Sequence, residues 1–316
     1  MAPLVRIGTR RSKLALTQSG MMQRAIGRAL GVADADLPEA VPLVEIVTTG
    51  DRVQDRRLME IGGKALFTRE IEEALLEGRV DVAVHSMKDV PADQPDGLCI
   101  AAVPPREDAR DAFVSETISA FADLPRGARL GTASLRRQAQ ALALRPDLTI
   151  EMLRGNVDTR LRKLAEGEFD AILLAVSGLN RLGFEAVIRE RLSLTDSLPA
   201  PGQGALALQT RTGDLNAAWV AALNDPMTAL AVAAERGAMT ALEGSCRTAI
   251  GAHAEIAGGG LCLTTEMLAP DGSARWRLTG ELDDATAADA MDQARALGLR
   301  LGAEVQAAAG DRRVGS

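Results

Sequence analysis

The sequence predicts an α/β protein: two doubly wound domains with a cleft between them, followed by a small C-terminal α+β domain. Three observations lead there. Strand and helix signals alternate from residue 5 to 84 and again from 129 to 176. Past residue 242 the apolar pattern shifts to period two around a tight turn. At 316 residues the chain is long enough for two or three domains of roughly 100 residues each. The expected boundaries are 1–104 with 204–222, 105–203, and 223–316.

The elements follow in order. Val5 to Gly8 reads as a short strand, and Leu14, Gln18, Met21, Ala25 and Ala29 then keep helical spacing. Val41 to Val47 is a second strand, stopped at Thr48-Thr-Gly-Asp51. Phe67, Ile71, Ala74 and Leu75 form one face of a helix ending near Gly78. Val80 to Val84 is a continuous apolar run, as in a strand covered on both faces. The pattern repeats with a strand at Arg129 to Thr132, a helix through Leu135, Ala139 and Leu142, and a strand at Leu148 to Leu153. Val157, Leu161 and Leu164 mark the next helix, and Ala171 to Val176 the next strand. Ser197 to Gly204, rich in Pro and Gly, reads as a hinge or crossing segment. A helix spans about Met227 to Leu242; alternation at 261–267 and 276–282 flanks Pro270-Asp-Gly272 as a hairpin, and an Ala-rich helix starts near Thr286.

Composition narrows the function. Aromatic residues are 2% with no Tyr, so the core is aliphatic and a base-stacking surface lacks its rings. A net charge of −7 repels polyanions, which excludes nucleic acid as a partner and makes local clusters of Arg informative. No run of 18 uncharged apolar residues occurs, and the N-terminus has no signal-peptide pattern, so a soluble cytoplasmic protein without membrane contact is expected. The three cysteines, Cys99, Cys246 and Cys262, are widely spaced and suit a reducing compartment. Cys246, His253 and Cys262 lack zinc spacing, and no metal is expected. Nothing in the sequence demands more than a monomer.

Polar residues recur at the C-terminal ends of the strands: Thr9-Arg10-Arg11-Ser12, His85-Ser86-Met87-Lys88-Asp89, Gly131-Thr132-Ala-Ser134 with Arg136 and Arg137, and Leu153-Arg154-Gly-Asn156 with Arg160. In open α/β sheets ligands bind at these ends, where helix N-termini offer free N–H groups and a positive dipole end. Arginine there adds a fork that matches a carboxylate or phosphate. One such Arg is ordinary; four strand ends alike in an acidic protein point to an anion site. Gly62-Gly-Lys64 fails the phosphate-loop pattern, because Leu58 replaces the first Gly and Ala65 follows the Lys. Spacing alone leaves Asp89 open between a general acid/base and a plain partner of Lys88. Cys246, in Glu243-Gly-Ser-Cys-Arg247, is likewise open between a thiol activated by its Arg and a structural cysteine.

Taken together, these segments resemble the porphobilinogen deaminase family over nearly the whole chain. The resemblance runs through Thr9–Ser12, Gly62-Gly-Lys-Ala-Leu-Phe67, His85-Ser-Met-Lys-Asp-Val-Pro91, Gly131-Thr-Ala-Ser-Leu-Arg-Arg137, Leu153-Arg-Gly-Asn-Val-Asp-Thr-Arg160, Pro201-Gly-Gln-Gly-Ala205 and Glu243-Gly-Ser-Cys246. It implies a transferase that joins four porphobilinogen molecules head to tail into hydroxymethylbilane, releasing ammonia, in tetrapyrrole (heme or chlorophyll) biosynthesis. It implies a dipyrromethane cofactor held by Cys246 through a thioether and touched by Ser86, Lys88, Thr132, Ser134, Arg136, Arg137 and Arg160. Asp89 would assist deamination, while Arg10, Ser12, Lys64, Phe67, Arg154, Asn156 and Gln203 would bind substrate. Ala65, Ala133, Ser245 and Arg247 depart from the usual residues of these motifs.

Two rival classes stay in view. Periplasmic-binding-protein-like lobes also grip anions at helix N-termini, but a solute-binding protein needs neither Cys246 nor Asp89. An acyl- or phosphoryl-transfer enzyme lacks a nucleophile–His pair or a nucleotide loop here.

Overall fold

The computed structural model describes residues 3–49, 68–242 and 249–310. The chain divides into two compact units, Met1–Arg106 with Ala205–Ala229 and Glu107–Gly204 with Leu230–Ser316. Among the described residues, no helix is long and apolar enough to cross a membrane.

The first unit holds strands β1 (Ile7–Thr9), β2 (Leu43–Glu45), β3 (Val82–Ser86), β4 (Leu98–Ala102) and β10 (Leu206–Arg211), in the order β2-β1-β3-β10-β4. β1 is parallel to β2 and β3, whereas β10 runs antiparallel to β3 and β4. Alternation along β3 builds two layers. Val82 and Val84 pack with Met22 and Ile26 of helix α1 (Lys13–Ala29) and Trp219 of α6 (Ala218–Leu223). Ala83, between them, packs on the other face with Ile71 and Leu75 of α2 (Arg69–Leu76). That two-sided covering is what a doubly wound sheet requires.

The second unit repeats the plan. Its strands β5 (Asp111–Val114), β6 (Arg129–Gly131), β7 (Thr149–Glu151), β8 (Ala171–Ala175) and β9 (Glu190–Arg191) take the order β7-β6-β8-β5-β9, with β7, β6 and β8 parallel and β5 antiparallel to β8. Phe113, Leu130 and Leu173 face Ala141 of α3 (Leu135–Leu144). Ala112, Ile172 and Leu174 face Leu164 of α4 (Val157–Ala165) and Leu179 of α5 (Val176–Leu182).

The same unit carries an antiparallel meander of β11 (Ala249–Ala257), β12 (Gly260–Leu268) and β13 (Arg275–Leu282), with helices α7 (Pro226–Leu242) and α8 (Ala290–Ala309). Its core is aliphatic, with Leu261 and Leu263 of β12 packed against Ala234 and Ala238 of α7 and Leu297 and Leu301 of α8. Small residues let the two helices approach closely. A Cβ at Gly298 would lie 1.9 Å from the Ala234 carbonyl oxygen.

Four differences from the sequence expectations have physical causes, two of them local. β3 is Val82–Ser86 rather than 80–84, because the Val80 N–H is taken by the Ala74 carbonyl at 3.3 Å. The last helix starts at Ala290 rather than near 286, because the Asp284 carboxylate captures the Thr286 N–H (2.8 Å) and hydroxyl (2.6 Å) in a turn. β11 was not anticipated: its Ala- and Gly-rich sequence has weak strand propensity, and pairing along its whole length with β12 decides it. β4, β5 and β10 were also missed, being short strands whose partners lie far away in sequence.

Candidate active site

In the first unit, parallel β1 and β3 are neighbours, so their C-terminal ends lie side by side. Arg10 and Ser12 leave the end of β1, and Ser86, Lys88 and Asp89 leave that of β3. Ser12 caps α1, its hydroxyl accepting the Ala15 N–H at 3.2 Å. Gln18, two turns along the same helix, donates from Nε2 to the Ser86 hydroxyl at 3.0 Å and ties the two strand ends together. The chain then makes a single tight turn, Met87–Asp89, which buries Met87 and leaves Asp89 exposed. The Met87 N–H donates to the Ala205 carbonyl at 3.0 Å, which anchors that turn to the chain entering β10. Below it, His85 is buried with Nε2 3.1 Å from Gln209 Oε1, and burial pushes its imidazole down to about 4.

In the second unit β6 and β7 are parallel neighbours, and the Leu153 N–H still reaches the Thr132 carbonyl at 3.4 Å. Thr132 and Ser134 therefore stand beside the start of Arg154-Gly-Asn156. The Thr132 hydroxyl accepts the Ser134 N–H at 3.1 Å, and Ser134 caps α3 by accepting the Arg137 N–H at 3.4 Å. Asn156 stands at the N-cap of α4 without a side-chain capping bond, and Arg160 Nε donates to the Gly155 carbonyl at 2.8 Å. Nη1 of Arg154 is buried with no hydrogen-bond partner among the described residues.

Arg136 and Arg137 do not point to solvent. Their side chains are 5% and 7% exposed, and both bond the fully buried Asp111, at 2.7 Å each. Asp111 also accepts from Gln203 Nε2 at 2.9 Å and the Ser197 hydroxyl at 2.8 Å. Burial by itself would raise the Asp111 carboxyl, but the two guanidinium charges and their hydrogen bonds outweigh it and hold the group well below the usual carboxylate range. Two buried cations sharing one carboxylate leave an excess positive charge in the cluster. Arg136 Nε, moreover, is a buried donor without a partner among the described residues.

The structure thus gathers Arg10, Ser12, Ser86, Lys88 and Asp89 at one sheet end, and Thr132, Ser134, Arg136, Arg137, Arg154, Asn156, Arg160 and Gln203 around another. Lys64, Phe67 and Cys246 lie outside the described residues. Asp111 was not foreseen. Its signal is the run Arg110-Asp-Ala-Phe-Val114, where an acid inside a buried apolar strand demands cationic partners. Arg181 was also missed: burial brings its guanidinium down to about 10, and Nη2 donates to the Gly204 carbonyl at 2.6 Å. Gly204 itself has φ +91°, and a Cβ there would lie 2.3 Å from the Glu107 carbonyl, so the crossing segment requires glycine. Among the described residues no group of His, Cys, Asp and Glu is set to hold a metal ion.

Comparison with known proteins adds independent findings. The family model "Porphobilinogen deaminase, dipyromethane cofactor binding domain" matches residues 5–218, and "Porphobilinogen deaminase, C-terminal domain" matches 229–307. The chain is 61% identical over 313 residues to the porphobilinogen deaminase of Caulobacter vibrioides (strain NA1000 / CB15N), covering 98% of this chain and 97% of that protein. It is 59% identical over 312 residues to the porphobilinogen deaminase of Phenylobacterium zucineum (strain HLK1), covering 98% of each. Among solved structures it is similar to the periplasmic aliphatic sulphonate binding protein SsuA from Escherichia coli, with 18% identity and a TM-score of 0.41 over 76% of this chain and 70% of that one.

Proposed function

Since the chain belongs to the porphobilinogen deaminase family and serves porphobilinogen polymerisation in tetrapyrrole synthesis, we propose how its own residues divide that work. The enzyme acts as a transferase, a cytoplasmic monomer that joins four porphobilinogen molecules head to tail and releases ammonia. Cys246 holds the dipyrromethane cofactor through a thioether, on a C-terminal domain spanning 223–316. The α/β domains are 1–104 with 204–222, and 105–203.

The observation that carries this reading is the Arg136–Asp111–Arg137 cluster, in which two buried guanidiniums share one carboxylate. A buried excess of positive charge is costly unless an anion approaches it. The buried unpartnered donors Arg136 Nε and Arg154 Nη1 call for acceptors of the same kind. A pyrrole unit bearing an acetate and a propionate supplies such acceptors, so the residues present fit the cofactor and the substrate. Ser86, Lys88, Thr132, Ser134, Arg136, Arg137 and Arg160 hold the carboxylates of the cofactor, whose free pyrrole position supplies the nucleophilic carbon when bound. Arg10, Ser12, Lys64, Arg154 and Asn156 hold those of the incoming substrate, which Phe67 also binds; Gln203, whose amide N–H groups go to Ala109 and Asp111, supports the site through the cluster.

Asp89 is the catalytic residue in this scheme. Losing ammonia from the aminomethyl group of porphobilinogen leaves positive charge on the pyrrole nitrogen. A carboxylate placed at that N–H stabilises the charge as it develops. The exposed position of Asp89 on a turn whose neighbour Met87 is locked into the core suits it to meet a ligand without moving the strand. Lys88 adds cationic charge for the substrate's acids.

Intact-protein mass spectrometry tests the scheme. The purified protein is expected to be heavier than its sequence by one dipyrromethane, and Cys246→Ser to lose that mass. A native mass equal to the sequence mass, with no turnover of porphobilinogen, would sink the scheme. Asp89→Asn is expected to keep the adduct and the fold while losing most turnover; near-normal turnover removes Asp89 from the mechanism.

A further inference from the structure

Gln140 lies one helical turn beyond Arg136 on α3, is 1% exposed, and uses both ends of its amide. Its Oε1 accepts from Arg136 Nη1 at 2.8 Å, with the Ser197 hydroxyl, whose proton goes to Asp111, 3.2 Å away. Its Nε2 donates to the Leu198 carbonyl at 2.8 Å and to Glu266 Oε1 at 2.5 Å. The two partners on the Nε2 side are acceptors only, so the amide has one permitted orientation, oxygen toward the guanidinium. Glu266 is fully buried on β12, and Arg277 of β13 donates to it from Nε at 2.8 Å, with Nη2 2.7 Å away in the ion pair. An unbroken chain of hydrogen bonds, buried as far as Glu266, therefore runs from Asp111 through Arg136 and Gln140 to Glu266 and the half-buried Arg277.

Arg136 is not held by Asp111 alone. Its Nη1 also donates to the Leu198 carbonyl at 2.8 Å, so three acceptors converge on one nitrogen. Together they fix the guanidinium plane and keep Nε clear of any protein acceptor among the described residues. A neutral amide does this without cancelling charge. A carboxylate at the same position would cancel the excess cation that Asp111 leaves in the cluster.

We infer that Gln140 is a positioning residue for the anion site: it orients Arg136 as a neutral acceptor and ties that orientation to the Glu266–Arg277 pair of the C-terminal sheet. This rests on the reading of Arg136 as a cofactor-binding residue. The C-terminal sheet thus helps set the geometry of the arginine cluster as well as following the cofactor cysteine in the chain. No covalent step is involved; the effect is on how well the chain loads and keeps the anionic cofactor.

A charge swap tests it. In the double variant Gln140→Glu with Glu266→Gln, the hydrogen bond between the two positions re-forms with its donor and acceptor exchanged, and the net charge of the chain is unchanged. The carboxylate now sits beside Arg136. The variant is expected to fold with near-native circular dichroism but to melt lower, because the carboxylate at 140 faces the Leu198 carbonyl and Arg277 loses its charged partner. The fraction of molecules carrying the dipyrromethane adduct, read by intact mass, is expected to fall about tenfold, the order of effect of one unit charge at close range in a partly screened site. A folded swap with the wild-type adduct fraction overturns the inference. Arg136→Lys, measured alongside, separates the two claims: if it loses the adduct while the swap keeps it, only the role of Gln140 fails. If Arg136→Lys keeps the full adduct, the reading of Arg136 fails and the inference falls with it. Should the swap not fold, Gln140→Met decides. It removes the acceptor from Arg136 Nη1 without adding a charge and is expected to lower the adduct fraction about threefold, the size of one hydrogen bond; an unchanged fraction overturns the inference.

Discussion

His85 is expected to make the first unit acid-sensitive in a pH range where its carboxylates are not. The imidazole sits on β3, 6% exposed, and Gln209 Oε1 is its partner at 3.1 Å. Gln209 spends its amide N–H groups on Glu72 Oε1 (3.2 Å) and Gln94 Oε1 (2.8 Å), so His85 Nε2 must be the donor, and burial favours the neutral ring. Burial lowers its pKa from 6.5 to about 4, with the Arg10 charge acting in the same direction. The sign follows: above 6.5 neither folded nor unfolded chain binds the proton, and between 6.5 and about 4 the unfolded chain binds it more. Stability is therefore lost as pH falls through that window. At about pH 5 the linkage integral gives a loss of about 2 kcal/mol, rising to about 3 kcal/mol once the folded histidine also protonates. Trp219 lies in the β3 core of this unit, so urea unfolding followed by fluorescence in a Trp276→Phe background isolates it. His85→Gln keeps a donor toward Gln209 but cannot titrate. Wild type is expected to lose about 2 kcal/mol more than His85→Gln between about pH 7.5 and about pH 5. Equal losses in the two proteins would refute the reasoning, because Asp81 contributes equally to both.

Three other outcomes follow from the same geometry. Asp111→Ala strands two buried guanidiniums and is expected to cost about 3–5 kcal/mol in urea unfolding of the second unit, with Asp111→Asn, which keeps the acceptor oxygen, costing less. Gly298→Ala drives a methyl group against the Ala234 carbonyl at the α7–α8 crossing, and a drop in stability of about 3 kcal/mol is expected, because backbone cannot swing aside as a side chain can. Arg162→Ala removes an exposed i,i+4 pair with Glu166, whose side chains are 60% and 49% exposed, and should shift the midpoint by less than about 0.5 kcal/mol.

Much of the site was legible because its signals are local. A strand running into Ser86-Met-Lys-Asp89, or a Ser134 that caps α3 ahead of Arg136 and Arg137, is visible within ten residues. Period and capping chemistry act over that range. The doubly wound layering of both sheets followed from the same periodicity. What was not legible is non-local. β10 pairs with β3 across more than a hundred residues, and Asp111 meets the arginines of α3 from a strand that precedes them by 25 positions. No local rule assigns such a partner, since a strand's register and a buried acid's counter-charge are chosen by which surfaces the whole chain can cover at once. The sequence by itself determined that arginines stand where strands end. Only the tertiary structure decided that two of them are first bound by Asp111, with Gln140 holding one in place. Burying a charge makes its nearest partner obligatory, and burial is a property of the packed chain.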